Sequence, residues 1–343
     1  MFPLNSMKQK HFNIPIFIPE LACPFQCIFC NQKKITGQAS IPSEKEITNL
    51  IEKYLKTIDT QKSAVEIAFF GGNFTGLPLA KQETLLKAVT PYFHSGISGI
   101  RISTRPDFIN KNNLSLLKSY SVQTIELGIQ SFDDEVLEKS KRGYDSKKAV
   151  SACRMVKKMG FNLGIQMMSG LPGSTLEKEM ETAFYASRLQ ADMARIYPVV
   201  VIRDTVLEKL FDEKKYLPLS LNEAVKRSCL LLQYFESKNI PVIRLGLHPS
   251  EGLLSGRDIV SGPFHPSFRE LVYSEIWKSI LSPLLEEREK KSKKLTLRVS
   301  PSEVNYVSGY DSCNKIMLLN FFSRVRILPS EKLNGRYYET EWS

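Results

Sequence analysis

Ile16-Phe17-Ile18-Pro19-Glu20-Leu21-Ala22-Cys23-Pro24-Phe25-Gln26-Cys27-Ile28-Phe29-Cys30-Asn31 places three cysteines at C-x3-C-x2-C spacing directly after a short apolar run. Three thiolates on one tight loop suit three irons of a [4Fe-4S] cluster, and no fourth cysteine lies nearby to close the site. One iron would stay open, and the methionine amino and carboxylate groups of S-adenosylmethionine can chelate an open iron. Zinc is the alternative, but a structural zinc site wants four closed ligands, and no second ligand pair follows within about twenty residues. A disulfide fits less well, because both spans are strained and nothing in the chain points to secretion.

Working outward, Ser43-x-x-Glu46 reads as a capping box, and Ile47, Leu50, Ile51, Tyr54, Leu55 and Ile58 follow at helical spacing. Ala64 to Phe70 is an apolar run of strand length that stops at Gly71-Gly72-Asn73. The alternation continues with a helix around 78–93, a strand at 99–103, a helix at 111–119 and a strand at 122–128. Asp145 can cap a helix containing Val150, Cys153, Val156 and Met159. Strands at 161–168 and 194–197 complete six strand–helix units, with Ser174-x-x-Glu177 starting the helix between them. Repeated units of this kind predict parallel strands with right-handed crossovers, an α/β fold of the partial (β/α)6 TIM-like barrel class.

In such a barrel every loop that follows a strand lies on one rim. The cysteines, Gly71-Gly72-Asn73, Ser103-Thr104-Arg105-Pro106-Asp107, Gln130-Ser131-Phe132 and Gly170-Leu171-Pro172-Gly173 all fall at strand ends and would converge there. Gly71 and Gly72 let backbone approach a ligand closely, with carbonyls that can accept from the methionine ammonium.

This series resembles the branch of the radical S-adenosylmethionine (radical SAM) enzymes that includes the Elongator catalytic subunit and the oxygen-independent coproporphyrinogen oxidases. The resemblance covers about residues 14–245. It rests on the cysteine loop with Phe29 before its third cysteine, Gly71-Gly72-Asn73-Phe74-Thr75, Thr104-Arg105-Pro106-Asp107, Leu127-Gly128-Ile129-Gln130-Ser131, Lys141-Arg142-Gly143 and Gly170-Leu171-Pro172-Gly173. It implies a cluster on Cys23, Cys27 and Cys30 that cleaves S-adenosylmethionine to a 5'-deoxyadenosyl radical. Phe29, Gly71, Gly72, Asn73, Ser103, Gln130, Arg142 and Gln166 then fall among the cofactor contacts. An arginine fork suits a carboxylate, which fits Arg142. Ser103 and Gln166 depart from the coproporphyrinogen oxidases, which usually carry carboxylates there, and so argue against porphyrin chemistry. The resemblance also implies an electron donor such as a flavodoxin or ferredoxin. Its Elongator side brings in tRNA as a candidate substrate; a small metabolite is the alternative. The Elongator subunit's acetyltransferase domain has no counterpart before Ser343.

The 343 residues are 42% hydrophobic and 24% charged, with a formal charge of +11 and a pI near 9.2. Such a balance is compatible with an acidic partner such as nucleic acid and says nothing about fold. No run of eighteen apolar residues and no signal peptide is present, so the expectation is a cytoplasmic protein with no membrane segment. Cys153, Cys229 and Cys313 stand alone and read as small buried hydrophobes. The barrel is expected over 1–245 and a helical connection over 246–291. A small α+β extension, KH-like in element order, is expected over 292–343, with its Gly309-Tyr310-Asp311-Ser312 turn where a KH domain keeps its nucleotide-clamping loop. His248 and His265, each before a proline, read as turn residues; histidine's titration near neutrality keeps them as candidates for proton transfer.

Overall fold

The computed structural model describes residues 10–19, 23, 27–31, 34, 40–248, 250–285 and 294–343. In chain order its strands are β1 (Lys10–Ile18), β2 (Ser63–Gly71), β3 (Ile97–Thr104), β4 (Val122–Gln130), β5 (Asn162–Ser169), β6 (Met193–Pro198), the short β7 (Val201–Ile202), β8 (Val242–Leu245) and β9 (Ile259–Ser261). Seven of them form one sheet in the order β1-β2-β3-β4-β5-β6-β8, and every pairing is parallel. β1 and β8 are its two edges, so the barrel is open. Short β7 and β9 pair antiparallel outside it.

The alternation of the strands sorts their side chains onto two faces. Ile14, Ile16, Ile67, Phe69, Ile100, Ile102, Ile125, Leu127, Leu163, Ile165 and Ile196 pack with the surrounding helices into the main core. The intervening residues face the concave side, and several are charged: Glu66, Arg101, Glu126 and Arg195.

Local signals set the helix starts. Ser43 and Glu46 form a complete capping box, and Asp145 accepts from the Lys148 N–H. The next start differs from expectation: Thr175, not Ser174, caps the helix Leu176–Arg188, because the Ser174 hydroxyl is donated to Glu179 instead. Strand β8 was not expected as a separate unit. With four residues, one of them Arg244, it is too short to show a period.

Helix Phe268–Leu281 joins the barrel to the C-terminal unit. Phe268, Val272 and Ile276 enter the main core, while Trp277 and Leu281 pack with Leu295, Leu297, Val299, Val307, Leu318, Phe322 and Val325 in a second one. There β10 (Lys294–Val299) pairs parallel with β11 (Arg324–Pro329) and antiparallel with β12 (Tyr338–Trp342), a strand the sequence reading did not include. Between them lie a short helix, Val304–Ser308, and a second, Cys313–Leu319. Asp311 and Ser312 in the intervening turn take left-handed backbone, at φ 50° and 60°. Cys153 and Cys229 are buried as expected, but Cys313 is exposed: it is the first residue of a helix of only 7 residues. The basic run Lys290, Lys291, Lys293 and Lys294, which after Glu286, Glu287 and Glu289 suggests a polar linker, lies outside the described residues except for Lys294 at the start of β10.

Candidate functional site

The rim is built from the loops after β1 to β5, and backbone hydrogen bonds fix the cysteine loop against it. The Ile28 N–H donates to Ser140 O at 3.3 Å, Leu207 N–H to Ile28 O at 2.8 Å, and Cys30 N–H to Cys27 O at 3.0 Å. Ile28 and Phe29 pack on Met168, Leu171, Val199 and Leu207. Phe29 is thus an anchor for the loop that carries the sulfurs.

Two arginines converge on Cys27. Arg142 Nη1 donates to its sulfur at 2.9 Å and Arg105 Nη1 approaches at 3.5 Å. Arg142 is buried, and the rest of its fork goes to the Tyr144 hydroxyl and Gly128 O. Arg105 lies on Asp107, with bonds of 3.0 and 2.9 Å, and also donates to Arg142 O. Burial pushes the Cys23 thiol up to about 11, although Arg105 and Arg142 pull against the rise.

The glycines have a reason independent of any ligand. Gly71 sits at φ +101°, and a Cβ there would lie 2.6 Å from Ile18 O; at Gly72 it would lie 2.5 Å from Pro19 O. The two residues let the loop after β2 run against the start of the cysteine loop, where Gly72 N–H donates to Ile18 O at 2.7 Å. Asn73 is wholly buried, its amide oxygen accepting from Thr104 Oγ1 at 2.6 Å and from the Arg105 N–H at 3.2 Å. It braces the loop after β2 against the one after β3.

Gln130 lies at a bulge in β4 with φ +69°, and its side-chain oxygen accepts from Gln166 Nε2 at 3.1 Å. Ser103 and Gln166 are half-buried on the concave face. The Gly170-to-Gly173 loop is held by a residue the motifs did not reveal: Glu179 Oε1 accepts from the Gly170 N–H at 2.8 Å and from Ser174 Oγ at 2.9 Å. Burial raises the Glu179 carboxyl above its ordinary range, against the pull of the Gly170 N–H and Arg227. The histidines stay in turns. His248 Nδ1 meets Arg244 Nη2 at 3.0 Å, and burial and that arginine lower its pKa; His265 Nδ1 accepts from the Ser267 N–H at 3.1 Å.

Below the rim a charge network fills the floor of the barrel. Arg101 Nη2 meets Glu66 Oε2 at 2.6 Å and its Nη1 meets Glu126 Oε1 at 2.7 Å. Arg195 lies on Glu126 at 2.5 Å, and His11 Nε2 meets Glu66 at 2.7 Å. The signal for it was present in the sequence as single charges inside apolar strands.

Among the described residues no three His, Cys, Asp or Glu side chains are grouped closely enough to hold a metal ion. The three cysteines share one loop at the rim without meeting at a point. The donor set still fits an iron–sulfur cluster: three soft sulfurs, no fourth ligand beside them among the described residues, and two guanidinium groups at Cys27.

Comparison with known proteins decides the family. The radical SAM superfamily model matches residues 18–186, and the radical SAM C-terminal domain model matches 191–278. The chain belongs to the radical SAM superfamily. Among its relatives is an uncharacterized protein of Methanocaldococcus jannaschii, 31% identical over 67% of this chain and 74% of that protein. A tRNA uridine(34) acetyltransferase of Dehalococcoides mccartyi is 23% identical over 60% of this chain and 52% of its own length, so this radical SAM chain spans about half of that enzyme. Among solved structures, the archaeal Methanocaldococcus infernus Elp3 superposes with a TM-score of 0.61 over 80% of this chain and 64% of that one. Its 19% identity makes this a likeness of fold. No helix among the described residues is long and apolar enough to cross a membrane.

Proposed function

We propose that this chain is a radical SAM enzyme acting on tRNA, with Cys23, Cys27 and Cys30 holding a [4Fe-4S] cluster. The observation that carries the reading is the C-x3-C-x2-C loop on the barrel rim with Arg105 and Arg142 turned onto its middle sulfur. When bound, the cluster and S-adenosylmethionine supply a 5'-deoxyadenosyl radical through one-electron reductive cleavage, the electron coming from a donor of the flavodoxin or ferredoxin class.

The chain's own residues position and shield. Arg142 and Arg105 offset negative charge that collects on the loop sulfurs, and Asp107 keeps Arg105 in place. Backbone carbonyls at Gly71 and Gly72 lie within the loop that abuts the cysteines and are suited to accept from an ammonium group. Ser103, Gln130 and Gln166 offer neutral hydroxyl and amide groups on the concave face, suited to ribose hydroxyls. Ile28, Phe29, Met168 and Leu171 make the apolar wall that keeps water from the loop.

Support for tRNA comes from the acetyltransferase relative, whose name specifies that substrate, and from the +11 charge of the chain. The test is anaerobic. The protein is reconstituted with iron and sulfide, reduced with dithionite and given S-adenosylmethionine, and 5'-deoxyadenosine is measured by chromatography with and without bulk tRNA. Product that disappears in the triple Cys→Ala variant and rises with tRNA is expected. A fully iron-loaded protein that makes none would end the radical reading, and a rate indifferent to tRNA would remove the RNA part of it.

A further inference from the structure

At the end of the barrel opposite the rim, three helices leave a groove between them. A cavity of about 800 Å³ is lined by Lys157, Phe184, Arg188, Asp192, Tyr234 and Lys238, among others. A second, of about 400 Å³, continues it past Arg154, Tyr185 and Leu189. Gln190 to Asp192 and Asn239 to Ile240, which enter the first cavity, directly precede β6 and β8. The groove therefore lies a strand length, roughly 20 Å, from the cysteine loop.

Four cations face this groove against one carboxylate, Asp192. Lys157 is held by it at 2.7 Å, while among the described residues no ion pair holds Arg154, Arg188 or Lys238. Cations at helix C-terminal ends complement the macrodipole, and that accounts for Lys157, Arg188 and Lys238, one at the end of each helix. It does not account for Arg154, a turn earlier. Nor does it explain why Phe184 and Tyr185 leave 48% and 38% of their surface in water between those cations. Exposed rings interleaved with unpaired guanidinium groups are the makeup of a surface that stacks bases and tracks a phosphate backbone. Next to it, in a further cavity that Arg154 and Tyr185 also line, Asp133 and Glu135 are covered by Lys178 and Asp134 accepts from the Ser146 N–H, so that Glu181 is the one carboxylate added there without an ion pair or side-chain hydrogen bond among the described residues.

We infer that this groove binds RNA, with Phe184 and Tyr185 stacking unpaired bases and Arg154, Arg188 and Lys238 taking the phosphates. Its role as an anchor for substrate remote from the reacting nucleotide rests on the tRNA reading above. The binding itself does not.

The test uses the full chain and two probes, bulk tRNA and a single-stranded oligouridylate, in a salt series followed by fluorescence anisotropy. Arg154→Glu/Arg188→Glu should weaken binding of both at least tenfold at low salt and flatten the dependence on salt by about 1.4 in log–log slope for the single strand. Phe184→Ala should weaken oligouridylate binding about tenfold with the slope unchanged. Formation of 5'-deoxyadenosine in the absence of RNA should be the same in all variants. RNA binding that survives the double reversal overturns the groove assignment, including the case in which the surface serves an acidic protein instead. Binding that is lost in the variants of a protein making no 5'-deoxyadenosine supports the groove while removing the radical reading.

Discussion

The rim and the floor of the barrel use the same residue types for opposite ends. On the floor, Arg101 and Arg195 meet Glu66 and Glu126, so each guanidinium has a carboxylate and the set closes on itself. At the rim, Arg105 lies on Asp107, Arg142 meets no carboxylate among the described residues, and one donor of each reaches the Cys27 sulfur. A compensated buried network contributes to architecture, whereas surplus positive charge beside a thiol is a place for anionic ligands. Removing charge should therefore cost stability on the floor and chemistry at the rim.

The largest effect is expected at the rim. Cys27→Ser should reduce 5'-deoxyadenosine formation below detection and leave the unfolding free energy of the apoprotein within about 1 kcal/mol of the parent. Loss of folding in that variant would break the contrast. On the floor, Arg101→Met leaves buried Glu66 with only His11 and buried Glu126 with only Arg195, and should destabilise the chain by about 3 kcal/mol in urea titration. Removing the charges together, in Glu66→Gln/Arg101→Met/Glu126→Gln/Arg195→Met, should recover much of that loss; a quadruple variant as unstable as the single one would show that packing, not charge, holds the floor.

Those floor residues also mark what the sequence hid. The apolar alternation made β2 to β6 and their helices legible, and the spacing of the cysteines brought the site to one rim. Contacts between strands have no local signal: nothing near Glu66 announces Arg101, because the pair forms only when β2 and β3 lie side by side. Asn73 was legible as a loop residue, but its bond to Thr104 depends on the next strand's end. Arg105 stands within the Thr104-to-Asp107 motif, and only the fold turns it onto Cys27. Strands β8 and β12 were missed for different reasons. The first is too short, and the second, Tyr-Glu-Thr-Glu-Trp, has only intermediate or exposed residues and is held by pairing with β10.

A smaller effect separates backbone from charge at the rim. Gly71→Ala forces a Cβ to 2.6 Å from Ile18 O at φ +101° and should cost about 1–3 kcal/mol. Gly256→Ala, at φ +72° with no atom within 4 Å, should cost less. Equal losses in thermal melts would mean that the close approach of the two loops carries no energy.

The smallest effect is a pH dependence of the floor. Burial alone would raise the Glu66 carboxyl, but His11 and Arg101 outweigh it and hold the group below its ordinary range. Its contribution is therefore present above the ordinary carboxylate pKa and lost as pH falls through the lowered folded value. Stability measured from pH 6 down to 2 should fall less steeply in Glu66→Gln than in the parent. Parallel curves would contradict the assignment.

The rim's charge surplus finally stands or falls with the cluster. Electron paramagnetic resonance of the reconstituted, dithionite-reduced protein, with about four irons per chain, tests it most directly. A reduced-cluster signal that changes on adding S-adenosylmethionine, and is absent from the Cys23/Cys27/Cys30 triple variant, is the predicted result. A signal indifferent to S-adenosylmethionine, or iron retained without the three cysteines, would contradict the account.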